Sequence, residues 1–135
     1  MNNSELHGTL VLVRPDLEND PVRQQGQIGI LTYVDLKDDI FVSFKNGKEG
    51  IYSADALFQL KNRDKIFSDL MGNSSSLEVK DFKDLYKISL LLDRARSTDV
   101  WQALEIARDN PEIWKDSLVS INNNIARPLT QTIGR

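Results

Sequence analysis

The sequence predicts an α+β chain in which a five-stranded antiparallel barrel over residues 6–61 precedes a bundle of three to four helices over 62–127, with 128–135 as a flexible tail. Three observations carry this expectation. From Leu6 to Leu60 apolar residues recur with period two, the spacing of a strand face. From Lys61 onward they recur at about 3.6, the spacing of a helix face. Between two alternating runs lies Asn46-Gly47, the dipeptide that most readily supplies two positive φ angles for a two-residue hairpin.

Leu6 to Arg14 carries Thr9, Val11 and Val13 on one side and Leu10 and Leu12 on the other, so this strand is expected to be buried on both faces. Pro15 to Gln25, with two prolines and several Asp and Asn, reads as a long, polar, exposed loop. Gln27 to Val34 sets Ile28, Ile30, Thr32 and Val34 against Gly29, Leu31 and Tyr33. A glycine inside a strand marks a bulge or a close backbone approach. Asp35 to Asp39 turns the chain. Ile40, Val42 and Phe44 then share a face opposite Phe41 and Ser43, the hairpin follows, and Gly50 to Tyr52 returns. Ser53 to Leu57 reads as one 3₁₀-like turn before a last strand around Phe58 to Leu60.

Strand, long loop, three-stranded meander, tight turn and final strand together resemble the SH3-like small barrels, the group of SH3, KOW and Tudor-type modules. The resemblance lies in the order of elements over residues 6–61 and implies a binding module. An SH3-type groove for proline-rich ligands is not implied, because this stretch has no tryptophan and Tyr33, Phe41, Phe44, Tyr52 and Phe58 are explained as core.

In the second half, Ile66 with Leu70 and Phe67 with Met71 form a first helix, which Gly72-Asn73 stops. The next helix is capped either by Ser75 with Glu78 or by Asp81, and places Phe82, Leu85, Ile88 and Leu92 on one face widened by Tyr86 and Leu91. It frays at Arg94 to Ser97. Asp99 with Gln102 caps a third helix bearing Val100, Ala103, Leu104 and Ala107. Asn110-Pro111 ends that helix and starts a last one, with Trp114, Leu118, Ile121 and Ile125 on one stripe as far as Pro128.

Composition narrows function mainly by exclusion. The 135 residues include no cysteine, which removes disulfides, thiolate nucleophiles and cysteine-held metals. Apolar residues make up 40% and charged ones 27%, as in an ordinary globular chain. No export signal is visible and the longest apolar run, Ile88 to Leu92, is too short to span a bilayer, so a cytoplasmic location without membrane contact is expected. Net charge is -3, and residues 1–62 hold nine acidic and six basic side chains, against eleven of each in the remainder. A nucleic-acid binder shows the reverse, a basic stripe.

The same reasoning weighs the individual residues. His7 is the single histidine and has no partner at motif spacing, so it reads as non-catalytic. Asp35, Asp38 and Asp39 read as a solvated turn because the loop lacks the glycine and distal glutamate of a calcium loop. Phosphate loops, nucleophile elbows and HExxH patterns are missing, so no catalytic, cofactor or metal residue is assigned. A hydrolase or transferase would require Asp38 and Asp55 to converge in a cleft. Trp114 is expected in the core, and Trp101 stands partly off the apolar stripe of its helix. The leading expectation is a non-enzymatic protein-binding or self-associating module, with Trp101, Asp99, Glu105 and Ile106 as the partner surface. It rests on the missing catalytic groups and on more helical apolar positions than so small a bundle can bury. The alternative is nucleic-acid binding through Lys45, Lys48, Lys61, Arg63 and Lys65.

Overall fold

The computed structural model describes residues 9–121, so His7, the end of the expected last helix and the expected tail lie outside the described residues. Its elements run β1 (Leu10–Val13), β2 (Ile28–Val34), β3 (Ile40–Phe44), β4 (Glu49–Tyr52), β5 (Leu57–Leu60), α1 (Arg63–Gly72), α2 (Val79–Arg94), α3 (Ser97–Arg108), α4 (Trp114–Ser117) and β6 (Leu118–Ser120). The chain is α+β as expected. Where five strands were expected the described residues form six, in the order β4-β3-β2-β1-β5-β6, and among them the sheet is open, with β4 and β6 at its ends. The described residues form two compact units, one reaching up to Gln59 and resuming with Ser120 and Ile121, the other Leu60–Val119.

In the sheet unit the alternation of the sequence becomes a core. Val11, Val13, Leu31, Val34, Ile40, Val42, Phe44, Tyr52, Ala56, Leu57 and Ile121 cluster on one side. On β1 the other face is buried too: Leu12 is inaccessible and stands opposite Ile28 on β2 and Phe58 on β5. One expectation about β2 fails at Thr32, where a bulge between Leu31 and Tyr33 shifts the register. The bulge turns Val34 inward with Leu31 and sends Tyr33 outward with Ile30. Gly29 serves close approach instead of the bulge, since a Cβ there would lie 2.5 Å from Val42 Cγ1 and 2.9 Å from the Ser43 carbonyl oxygen.

The β3–β4 connection also differs from the expected two-residue hairpin. Gly47 alone takes positive φ, at 88°, while the Gly47 N–H donates to the Phe44 carbonyl and the Phe44 N–H to the Lys48 carbonyl. This is a three-residue loop with a left-handed glycine at its end. Asn46 spends its side chain on the Lys48 N–H and on Gln24 Oε1, bonds that a conventional backbone conformation at Asn46 allows.

The loop from Pro15 to Gln25 is more ordered than its composition suggests. The buried Asp20 carboxylate accepts from the Val22 and Gln24 N–H groups and from the Tyr52 hydroxyl at 2.8 Å. Burial, reinforced by that bond to Asp20, pushes the Tyr52 phenol far above its usual range.

In the helical unit, Asn62 caps α1 by accepting from the Asp64 N–H at 2.7 Å, and Asn73 follows its last residue. Neither expected cap starts α2; Ser74–Ser76 forms a 3₁₀ turn and Glu78 precedes the helix without a side-chain bond. Ala95 ends α2 in the left-handed region at φ 61°, a position that favours glycine. The third helix begins at Ser97, two residues before the Asp99 cap that its sequence suggests. After α3, Asn110 accepts from the Glu112 N–H and opens a 3₁₀ turn, Pro111–Ile113. Among the described residues the long last helix does not form: α4 is a single turn, after which the chain extends as β6. The backbone finds strand partners there, because the Ser117 carbonyl accepts from the Lys61 N–H and the Ile121 N–H donates to the Leu57 carbonyl.

Candidate functional site

Helix α2 carries apolar residues on more than one side. Leu85, Ile88 and Leu91 are buried and hold it within the helical unit. Val79, Phe82, Tyr86 and Leu90, spaced by three and then by four, lie along a second stripe. Val79 is 70% exposed, Tyr86 43% and Leu90 48%. Phe82 is half-buried, and its ring stacks on Tyr86 with centroids 6.3 Å apart and planes inclined by 16°. The sequence reading placed Phe82 and Tyr86 on the core face, whereas the structure separates them from Leu85 and Ile88.

The orientation of α2 is fixed by Asn110. Its amide Nδ2 donates to Asp81 Oδ1 and to Asp84 Oδ2, both at 2.9 Å, while its Oδ1 accepts from the Glu112 N–H. Asp84 also binds Lys80 Nζ at 2.9 Å. Burial alone would raise the Asp84 carboxyl; the bonds from Lys80 and Asn110 outweigh it and hold the group below the usual carboxylate range. Both carboxylates are therefore spent on the side of α2 away from the stripe. Along the stripe itself stand Lys83 and Lys87, both exposed and neither in a salt bridge among the described residues.

The residues singled out on α3 fall differently. Asp99 is buried, bonded to Arg96 at 2.9 Å, with Arg94 at 3.9 Å. The Arg96 hydrogen bond holds its carboxyl below the usual range. Trp101, Glu105 and Ile106 are half-buried. Trp114, expected in the core, is half-buried and donates its indole N–H to the Ala107 carbonyl at 2.8 Å.

The proposed basic cluster divides between the two units, with Lys45 and Lys48 on the β3–β4 loop and the rest around α1. Lys61 Nζ donates to the Lys115 carbonyl, Lys65 pairs with Asp69, and Arg63 lies over the Phe67 ring while pairing with Asp64. Each cation around α1 thus has an acceptor of its own.

Carboxylates in the sheet unit are engaged as well. Asp35 Oδ1 accepts from the Lys37 and Asp39 N–H groups, which is turn chemistry. Asp55 lines a shallow hollow of about 360 Å³ with Arg14, Asp16, Leu17, Glu18, Ser53 and Ala56, and Asp38 is not part of it. Arg14 clamps Asp16 through two bonds and lies over Phe58. A second exposed apolar row crosses the sheet from Tyr33 through Phe41 to Ile51, which stand opposite one another on β2, β3 and β4. Tyr33 and Phe41 meet edge to face at 5.6 Å, a cross-strand pair that stabilises the meander itself. On the α2 stripe the Phe82–Tyr86 stack is a contact of the same kind.

Comparison with protein-family models, with curated proteins and with solved structures returns no significant match. Among the described residues no helix is long and apolar enough to cross a membrane.

Proposed function

We propose that this chain is a non-catalytic protein-binding module whose helical unit docks a helix of a partner protein along the outer stripe of α2. One observation carries the reading: four apolar side chains, two of them stacked aromatics, follow a single line down α2 with three more than 40% exposed. Burying Val79, Tyr86 and Leu90 on a partner would contribute roughly 25 cal/mol for each Å² of apolar surface removed from water. Leaving them exposed forgoes that gain, as binding surfaces do. The helix-in-groove mode uses anchors spaced three and four apart, and the stripe has that spacing.

The sheet unit is read as SH3-like. Support comes from the order of its elements and from β5, which follows one 3₁₀ turn and pairs back onto β1. On this reading the sheet is a scaffold and its hollow beside Asp55 has no catalytic part.

The test is affinity capture from source cells with three tagged proteins: the natural chain, the Tyr86→Ser/Leu90→Ser double variant, and Trp101→Ala as a probe of the α3 surface. Retained thermal midpoints establish that each is folded. The proposal expects the double variant alone to lose the captured partner. Unchanged capture by the double variant refutes it, and loss confined to Trp101→Ala moves the surface to α3.

A further inference from the structure

The charges beside the stripe define its occupant more narrowly, and this step rests on the α2 docking reading above. On the helical wheel Lys83, Lys87 and Arg94 follow one another along a single border of the Val79, Phe82, Tyr86 and Leu90 line. The carboxylates nearest this border are already engaged: Asp81 and Asp84 face Asn110, and Asp84 takes Lys80 and also feels the charge of Lys87, while Lys83 and Lys87 have no salt bridge among the described residues. Arg94 is exposed and reaches Asp99 only at 3.9 Å. The opposite border holds Glu78, and Asp93, three residues beyond Leu90, closes the line at its far end, where it lies 3.8 Å from Arg63. The stripe is thus an apolar line with one cationic margin, about 16 Å long at 1.5 Å of rise per residue.

We infer that the occupant is an acidic amphipathic helix of another protein, its apolar face on Val79, Phe82, Tyr86 and Leu90 and its carboxylates opposite Lys83, Lys87 and Arg94. A second copy of this chain docked antiparallel fits poorly. Two α2 helices related by a two-fold axis across the stripe run antiparallel, and that arrangement sets the cationic margin of one against the cationic margin of the other. Like charges so placed oppose association. An anionic membrane fits poorly as well. The line is one residue wide, Phe82 is half-buried beneath it, and three cations near a surface attract it by only about 1 kcal/mol each. A partner helix needs only a narrow ridge and gains from each opposed charge.

The test uses the full chain and three designed helical peptides with the same leucine spacing, flanked by Glu, by Gln or by Lys, titrated by fluorescence anisotropy. The Glu-flanked peptide binds most tightly, and Lys83→Glu with Lys87→Glu weakens it about ten-fold while improving the Lys-flanked peptide. Raising the salt concentration narrows the difference. Equal binding of all three peptides, abolished by Tyr86→Ser/Leu90→Ser, overturns the acidic preference but leaves the docking reading standing. Binding that ignores the Tyr86 and Leu90 substitutions overturns both. Two further arms use the natural chain alone. Concentration-dependent dimerisation in sedimentation, lost in Tyr86→Ser/Leu90→Ser, overturns the inference in favour of a second copy. Co-flotation with phosphatidylserine vesicles, absent with phosphatidylcholine, overturns it in favour of a membrane.

Discussion

Replacing Asn110 with alanine removes the side chain that ties the start of α2 to the turn after α3. Three hydrogen bonds are lost: the cap to the Glu112 N–H at 3.2 Å and the two donations to Asp81 and Asp84 at 2.9 Å. An Asn cap contributes about 1 kcal/mol. Each bond to a carboxylate is worth about 1.5 kcal/mol at the low end for charged groups, reduced to roughly 0.5 to 1 here because water reaches the acids; the Asp84 side chain is 24% exposed. The expected loss is therefore about 2 to 3 kcal/mol, read as a lower urea midpoint at unchanged slope in helical circular dichroism. Asn110→Asp separates the two contributions. It keeps the capping oxygen but sets a third carboxylate against Asp81 and Asp84, so its folded pKa rises above the unfolded value near 3.9. A raised folded pKa means stability present below the unfolded value and lost as pH climbs through the folded one. The aspartate variant should thus be least stable relative to alanine at neutral pH and recover toward pH 4. A loss below about 0.5 kcal/mol for alanine, or an aspartate penalty indifferent to pH, refutes the assignment of these bonds.

Three further outcomes are expected. Ala95→Gly relieves the left-handed backbone at the end of α2 and should raise stability by about 1 kcal/mol in the same denaturation assay. Tyr52→Phe removes the hydroxyl bonded to buried Asp20 and should cost about 1 to 2 kcal/mol at pH 7. Because burial raises the Tyr52 pKa, its contribution is present below the unfolded value and lost at higher pH; the natural chain should weaken above about pH 10 and the phenylalanine variant less so, as pH-dependent melting would show. Gly29→Ala drives a methyl against Val42 and the Ser43 backbone, and a thermal-melt loss of about 1 to 3 kcal/mol is expected, with little change if the strands could part freely.

Period and turn chemistry made much of the fold legible. β1 to β5, the 3₁₀ turn before β5 and the helix stops at Gly72 and Asn110 follow from local residues. The misreadings have long-range causes. Thr32 looked like one more alternating position, and a bulge appears there only when β3 is laid beside β2. Ser117 to Ile121 continues a helical pattern, but its backbone finds partners at Lys61 and Leu57, some sixty residues earlier. Asp20 and Gln24 read as solvent residues because the Tyr52 hydroxyl and Asn46 amide that meet them lie in other elements.

The candidate site was legible in quantity and not in place. An excess of helical apolar residues was readable by counting, but Phe82 and Tyr86 lie close enough to Leu85 on the wheel to be taken as one wide face. The signal that separates them is Asn110, which faces Asp81 and Asp84 and so fixes the rotation of α2. Val79 and Leu90, in line with Phe82 and Tyr86, were the remaining clue.

The central claim, that the outer face of α2 is where a protein partner docks, is tested most directly by photo-crosslinking from within that face. A benzophenone amino acid at position 86, irradiated in source cells, should yield one discrete protein adduct. The same group at position 64, an exposed site on α1, should yield none. An adduct at 86 that disappears with Leu90→Ser is the predicted result; no adduct at 86, or the same adduct from both positions, contradicts the account.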